Sequence, residues 1–266
     1  MTDATPRRRP SPAPDVGTAD GLLDALDARA DPQRAIGTAR FFQTGPGQYG
    51  EHDRFIGLTV PTVRTLIRDF RDLPLSELDT ALDSPIHEHR LAALLILVGQ
   101  FERASRSDGH GGARDDAARD RLAAFYLTAV GRGRVNNWDL VDCSAPTLVG
   151  AYLYDRPRTV MTSLAASGSL WERRVAMVGS LGLIMRGDAS TTLQLAAMLL
   201  SDPESLMHKA VGWMLREVGK RVDRALLLGF LDEHAAAMPR TALSYATEHL
   251  DTSVRAAYRA RRQPGN

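Results

Sequence analysis

The sequence predicts an all-α protein built as a HEAT-like repeat α-solenoid, a curved superhelix of helix pairs. Three dipeptides have the form of helix starts, because a capping residue is followed by proline, which is favoured at the first helical position. Each precedes a long amphipathic segment: Asp31-Pro32, Ser84-Pro85 and Asp202-Pro203. No run alternates as a strand does, and the nearest candidate, residues 55–60, is weakened by Gly57 and the following Pro61.

An internal repeat supports this fold class. Ser169–Met177 aligns with Ser205–Trp213 without gaps, and Pro85–Ala93 fits the same frame. A helix that recurs with a partner helix between its copies is typical of an α-solenoid, in which each pair buries its face on the next. Such an array is expected to curve, and its inner face is the usual binding surface.

Length and composition are those of a folded chain. Its 266 residues suffice for one large domain or a repeat array, and 44% hydrophobic with 24% charged residues is ordinary for a globular protein. Residues 1–19, with several prolines and Arg7-Arg8-Arg9, predict a disordered basic tail. Residues 20–262 then form one repeat domain with a flexible insertion at about 104–117. The longest apolar run, Leu91–Val98, is too short to span a bilayer, which predicts a cytoplasmic protein.

The charged residues, the single cysteine and the histidines limit which kinds of functional site the chain can have. The net charge is only +1 and lysine is limited to Lys209 and Lys220, so arginine supplies nearly all the positive charge and favours bidentate contacts to phosphate or carboxylate. The single cysteine, Cys143, excludes an internal disulfide. Because Cys143 lies beside Asp142, a reactive thiol is one alternative, although a buried structural thiol is favoured. The seven histidines have no spacing typical of a metal site, so we expect no metal.

The stretch Asn136–Asp142 places polar and aromatic residues where the helical pattern would otherwise supply core. An asparagine at position 136 or 137 can cap a helix, and the four-residue step from Trp138 to Asp142 puts an indole and a carboxylate on one face. The alternative is structural, since a tryptophan near a helix start often anchors packing and the helix dipole favours an early aspartate.

A second helix, opened by Asp202-Pro203, has one basic-aromatic stripe and one apolar stripe. The basic-aromatic stripe is formed by Lys209, Trp213, Arg216 and Lys220. The apolar stripe is formed by Leu206, Ala210, Met214 and Val218. This division suits a partner lined with phosphates, although a surface helix with a half-packed tryptophan and solvated cations fits the pattern equally well.

The intervening copy of the repeat has cations at an unusual position. Ser169 and Glu172 form a capping-box pattern, which places Arg173 and Arg174 in the first turns of a helix. The positive end of the helix dipole disfavours arginine there unless an anion compensates it. This observation favours a functional role for the pair.

Three motifs together carry a resemblance: Asn136–Asp142, Leu170–Arg174 and Lys209–Glu217, with the Tyr49-Gly50 loop and Met238–Thr241 also in register. In order and spacing they resemble the AlkD-type DNA alkylation-repair glycosylases, over roughly residues 34–259. The resemblance implies a HEAT-like superhelix that grips duplex DNA containing alkylated purines and excises cationic N3- and N7-alkylpurines without flipping the base into a pocket. It implies no metal or organic cofactor, and we expect a monomer that is nucleoid-associated when bound to DNA.

By motif position, the resemblance implies Trp138 and Trp213 as the indoles beside the sugar of the lesion, and Asp142 as the catalytic carboxylate. Arg174 is implied as a nearby cation that contacts phosphate. The expected DNA-binding residues are Phe41, Lys209, Arg216, Lys220 and Arg173. Two departures, Phe41 where members often have tyrosine and Pro46 where many have lysine, leave the excision rate and the lesion range open.

Chemistry supports this assignment, because a cationic purine leaves readily and needs no general acid. A single carboxylate can stabilise the oxocarbenium-like sugar and position a water. With so few lysines to form a Schiff base, the predicted enzyme is monofunctional. Two alternatives stay open: a non-catalytic HEAT-repeat scaffold for DNA or protein, which would have no need of Asp142, and a distant third, a cysteine hydrolase built on Cys143.

Overall fold

The computed structural model describes residues 15–106 and 114–261, and every regular element within these ranges is helical. The helices are α1 (Ala19–Asp27), α2 (Pro32–Phe41), α3 (Val60–Leu66), α4 (Leu75–Leu82), α5 (His87–Ala104), α6 (Asp116–Gly131), α7 (Trp138–Ala145), a π-helical turn (Pro146–Ala151), α8 (Thr159–Ala165), α9 (Leu170–Gly179), α10 (Leu181–Ile184), α11 (Ser190–Met198), α12 (Ser205–Arg221), α13 (Arg224–His234), α14 (Arg240–Ala246) and α15 (Thr252–Ala260). An isolated bridge between Arg54 and Ile86 is the nearest approach to sheet in this part of the chain. The predicted all-α class is confirmed.

The helices form two rows. In the inner row α5, α7, α9, α12 and α14 pack in succession, and the outer row places α4, α6, α8, α11 and α13 against them. The aligned repeat segments begin at or just before three inner helices, α5, α9 and α12. Repeated sequence therefore corresponds to repeated position, as a solenoid requires.

Of the three predicted helix starts, Asp31-Pro32 is confirmed, because Asp31 accepts the Arg34 amide at 3.0 Å and α2 begins at Pro32. The other two helices begin later than predicted. Ser84 accepts the Ile86 amide at 3.1 Å and Asp202 accepts the Glu204 amide at 2.9 Å. Each side chain therefore closes a short turn ahead of the helix, which then begins two residues after the proline.

One continuous apolar cluster runs through both rows, from Leu22 near the start to Tyr258 in α15. Close helix crossings hold it together at the C-terminal end. A Cβ atom on Gly212 would lie 2.3 Å from the carbonyl oxygen of Ala242, so only glycine lets α12 and α14 approach this closely. The glycine of the Lys209–Glu217 motif thus has a packing role.

Parts of two predicted mobile segments lie outside the described residues, namely 1–14 of the basic tail and 107–113 of the insertion, as does residue 262 at the predicted domain boundary. On either side of the insertion α5 continues to Ala104 and α6 begins at Asp116. Within the described ranges no helix is both long enough and apolar enough to cross a membrane.

Candidate active site

Helix α7 begins at a fully buried asparagine. The Asn137 side-chain oxygen accepts the Trp138 amide at 2.8 Å, which satisfies one of the unpaired donors at the helix start. The Asn137 side-chain nitrogen donates to Asp53 at 2.7 Å. This cap holds the first turn of α7 in place, and Trp138 and Asp142 extend from it into one pocket.

The pocket has a volume of about 500 Å³ and opens on the inner row of helices. Its walls come from the loop after α2 and from α7, α9, α12 and α14. They include seven residues expected from the sequence: Phe41, Trp138, Asp142, Arg174, Lys209, Trp213 and Arg216. Helical spacing therefore placed residues correctly on each helix, and the packing of the helices brings them together.

Asp142 and Arg174 form the polar centre of the pocket. The guanidinium donates two hydrogen bonds to the carboxylate, at 3.0 and 2.9 Å, and a third to the Leu206 carbonyl at 2.8 Å. Burial raises the pKa of Asp142 above its usual value, and the charge and hydrogen bonds of Arg174 only partly oppose this effect. Arg174 thus holds a carboxylate within the protein, a different arrangement from the phosphate contact expected for it.

Two other expected DNA contacts do not line the pocket. Arg173 donates to Asp202 at 2.6 Å and to the carbonyls of Ser167 and Gly168. Protein carboxylates therefore compensate both arginines at the start of α9, where the sequence suggested an external anion. Lys220 lies exposed at the far end of α12, beyond the pocket wall.

The two remaining pocket cations differ in their partners. Arg216 is paired with Glu248 and with Glu217, the latter at 3.3 Å. Lys209 is exposed and has no ion pair within residues 15–106 and 114–261. It is therefore the pocket cation most readily available to an incoming anion.

The loop after α2 supplies a wall that the sequence did not assign. Gln43 and Tyr49 line the pocket, and the Tyr49 hydroxyl approaches the Phe41 carbonyl oxygen at 3.5 Å. Phe41 is 65% exposed and packs edge-on against Trp138 with ring centroids 6.0 Å apart. Tyr49 therefore supplies a phenol hydroxyl to the pocket. Phe41, which stands where family members often have tyrosine, supplies none. The signal for this wall in the sequence is the Tyr49-Gly50 loop, which is in register with the family motifs.

A buried polar network lies beneath this wall. His87, 2% exposed, bonds Asp139 at 2.8 Å through Nε2 and Asp53 at 3.3 Å through Nδ1. Arg90 also donates to Asp53. Burial alone would lower the pKa of His87, but hydrogen bonds and charges from both aspartates outweigh it and raise the pKa to about 9.

His87 is a packing histidine whose imidazole links two carboxylates in the interior, a role that the histidine spacing did not predict. Aromatic stacking connects it to the pocket: His87 stacks on Phe55 with centroids 4.7 Å apart, Phe55 on Phe42 at 5.0 Å, and Phe42 on Trp138 at 5.2 Å. Four polar and charged residues at the start of α5, directly ahead of its apolar run Leu91–Val98, were the signal that could have revealed this network.

The alternative chemistries receive little support from the site. Burial raises the pKa of the half-buried Cys143 thiol, which disfavours the nucleophilic thiolate. Within the described residues, no group of three or more histidine, cysteine, aspartate and glutamate side chains is arranged to hold a metal ion.

Fold and pocket together define a helical repeat protein of the HEAT-like class, with a carboxylate-centred site on its inner row of helices. The chain belongs to the family of DNA alkylation repair enzymes, whose model matches residues 22–250. A predicted DNA alkylation repair enzyme from Enterococcus faecalis has a similar solved structure, with a TM-score of 0.61 and 16% identity over 84% of this chain and 97% of that one. No curated protein matches the chain. The motif resemblance is thus confirmed at the level of the family.

Proposed function

We propose that this member of the DNA alkylation repair family is a monofunctional DNA glycosylase that hydrolyses the N-glycosidic bond of cationic N3- and N7-alkylated purines in duplex DNA. The observation that carries the proposal is Asp142, a half-buried carboxylate that lines the same pocket as the indoles of Trp138 and Trp213. A protein that only bound DNA would gain nothing from a carboxylate facing phosphates, since the like charges repel.

The proposed chemistry requires one carboxylate and no general acid. As the cationic base departs with the bonding electrons, positive charge develops on the sugar, and the Asp142 carboxylate stabilises it electrostatically. Each carboxylate oxygen bonded to Arg174 keeps a second lone pair, which can accept a proton from the attacking water. The indole faces of Trp138 and Trp213 add cation–π attraction to the sugar or base.

Arg174 has a positioning role in this mechanism. Its bidentate contact fixes the orientation of the carboxylate, and its bond to the Leu206 carbonyl anchors the guanidinium to the start of α12. Lys209 and Arg216 then face the phosphates of the damaged strand. No cofactor enters the proposed reaction.

The direct test is release of N7-methylguanine and N3-methyladenine from duplex DNA under single-turnover conditions. We expect wild type to release both bases without cutting the strand. Duplex binding with no release of either base would favour the scaffold instead. Loss of activity on thiol alkylation would support the alternative of a cysteine hydrolase built on Cys143.

Monofunctional chemistry has its own test, because Lys209 lines the pocket and is the amine best placed to form a Schiff base with the sugar. Borohydride should trap no protein–DNA adduct, and Lys209→Gln should still release base. A trapped adduct in wild type that disappears in Lys209→Gln would contradict monofunctional hydrolysis.

A further inference from the structure

A second groove lies away from the pocket, between α3 with the turn that follows it and the middle and C-terminal half of α5. Its volume is about 500 Å³. Four arginines surround it, Arg64, Arg68, Arg71 and Arg103, and we refer to it as the arginine groove. Leu95 and Ile96 contribute to an apolar floor between the cations. None of these residues has a role in the proposed reaction.

The arginine groove carries uncompensated positive charge. Arg71 and Arg103 share one carboxylate, Asp72, at 3.3 and 3.0 Å. Arg64 and Arg68 are exposed, and neither has an ion pair among the residues that the structure describes. Two of the four arginines share one acid and the other two have no carboxylate partner among the described residues, so an anion bound in the groove would relieve repulsion between the cations.

The arginine groove borders the helix that carries Asp142. Arg64 lies close enough to Cys143 for its positive charge to favour the thiolate, although burial has the larger effect and raises the pKa of that thiol. Cys143 directly follows Asp142 on α7, and the first residue of α5, His87, bonds Asp139 on the same helix. Groove and pocket are therefore neighbours along α5 and α7.

The length of α5 gives the approximate distance between the pocket and the arginine groove. Gly99, in the groove wall, lies twelve residues after His87, which is beside the pocket, and this separation corresponds to about 18 Å at 1.5 Å per residue. Phosphates follow one another at about 3.4 Å along the axis of one DNA strand, so this distance corresponds to roughly five phosphate steps. Backbone about five phosphates from a lesion in the pocket is therefore at the distance of the groove.

We propose that the arginine groove binds the phosphodiester backbone of duplex DNA several nucleotides from the lesion, an inference that rests on the proposed function. Arginine suits this ligand because its planar guanidinium donates two parallel hydrogen bonds to one phosphate.

The first test is the salt dependence of binding to an undamaged duplex by the variant Arg64→Gln/Arg68→Gln. We expect the plot of log affinity against log salt to lose roughly one unit of slope for each arginine that contacts a phosphate. Arg121→Gln is the matched control, because Arg121 is an exposed arginine on α6 in the outer row. It should leave the slope unchanged. An unchanged slope in the double variant would overturn the proposal.

The second test locates the contact on the DNA. Single phosphates on each strand are replaced by neutral methylphosphonates, at increasing distance from a lesion. Some positions about three to seven nucleotides away should weaken binding of wild type and of Arg121→Gln, but not of the double variant. Equal sensitivity of the double variant and wild type at every position would overturn the proposal. Circular dichroism and thermal melting establish that each variant is folded.

The two proposals can fail separately, because the groove is tested by binding and the reaction by base release. If wild type releases no alkylpurine but the methylphosphonate effects depend on Arg64 and Arg68, the groove stands and the proposed reaction falls. If wild type releases base but methylphosphonates weaken binding of the double variant as much as that of wild type, the proposed reaction stands and DNA does not contact the groove.

Discussion

Two carboxylates on α7, three residues apart, serve two different regions of the molecule. Asp139 bonds the buried imidazole of His87 in a network closed by Asp53. Asp142 bonds Arg174 and lines the open pocket. One helix start thus supplies a carboxylate to a buried polar network and another to the pocket. The difference teaches that two aspartates one turn apart can have separate partners, and we propose that Asp139 contributes to stability and Asp142 to the reaction.

The pKa shifts in the two regions have opposite meanings although both are upward. A raised pKa keeps His87 positively charged between its two aspartates, so the network is an ionic one at neutral pH. A raised pKa makes the charge of Asp142 costly. A costly buried charge is stabilised when positive charge develops opposite it, which is what the proposed transition state supplies.

The largest expected effect comes from Asp142→Asn. Losing the charge opposite a developing oxocarbenium should cost at least about 3 kcal/mol of transition-state stabilisation, a more than hundredfold slower release of N7-methylguanine under single-turnover conditions. Affinity for duplex DNA should be unchanged or improved, because a negative charge facing phosphates is removed.

Asp139→Asn is the matched control on the same helix. It should lower the free energy of unfolding while the folded protein releases base within a few-fold of wild type. The comparison breaks down if Asp142→Asn retains nearly full activity, or if Asp139→Asn loses activity without losing stability.

The second effect is the pH dependence of stability through His87. The folded pKa of about 9 exceeds the unfolded value of 6.5, so this stabilisation is complete below pH 6.5 and is lost as the pH rises through 9. The loss amounts to about 3 kcal/mol at most.

Urea unfolding at pH 6 and above pH 9 measures this loss. In His87→Gln the fall in unfolding free energy between these pH values should be much smaller than in wild type. An equal fall in both proteins would show that the imidazole does not carry the charge of the network.

The smallest effect comes from the pocket wall. Trp213→Leu removes cation–π attraction and should slow release of N7-methylguanine about tenfold, the equivalent of about 1.4 kcal/mol. Trp171→Leu is the control, because Trp171 is a half-buried indole in the first turn of α9 that packs edge-on against Tyr49, with ring centroids 6.2 Å apart, and does not itself line the pocket. Equal slowing in both variants would assign the indoles to packing.

Local patterns were sufficient to predict the helical class and the repeat, and the family motifs added most of the pocket residues. The four-residue step from Trp138 to Asp142 and the spacing of Lys209, Trp213 and Arg216 follow from the period of a helix, which is a property of the chain over one or two turns. Each residue therefore lies on the predicted face of its own helix, and the family motifs added the expectation that these faces meet.

Only the tertiary structure decided which charges pair. Arg174 bonds a carboxylate 32 residues away, Arg173 one 29 residues away, and His87 bonds Asp139 across 52 residues. Helical periodicity carries no information about contacts between residues so far apart, because stacking of the inner helices sets them. The sequence therefore determined where the functional side chains lie along each helix. Packing determined that Asp142 holds an arginine and that a histidine network supports the wall beside it.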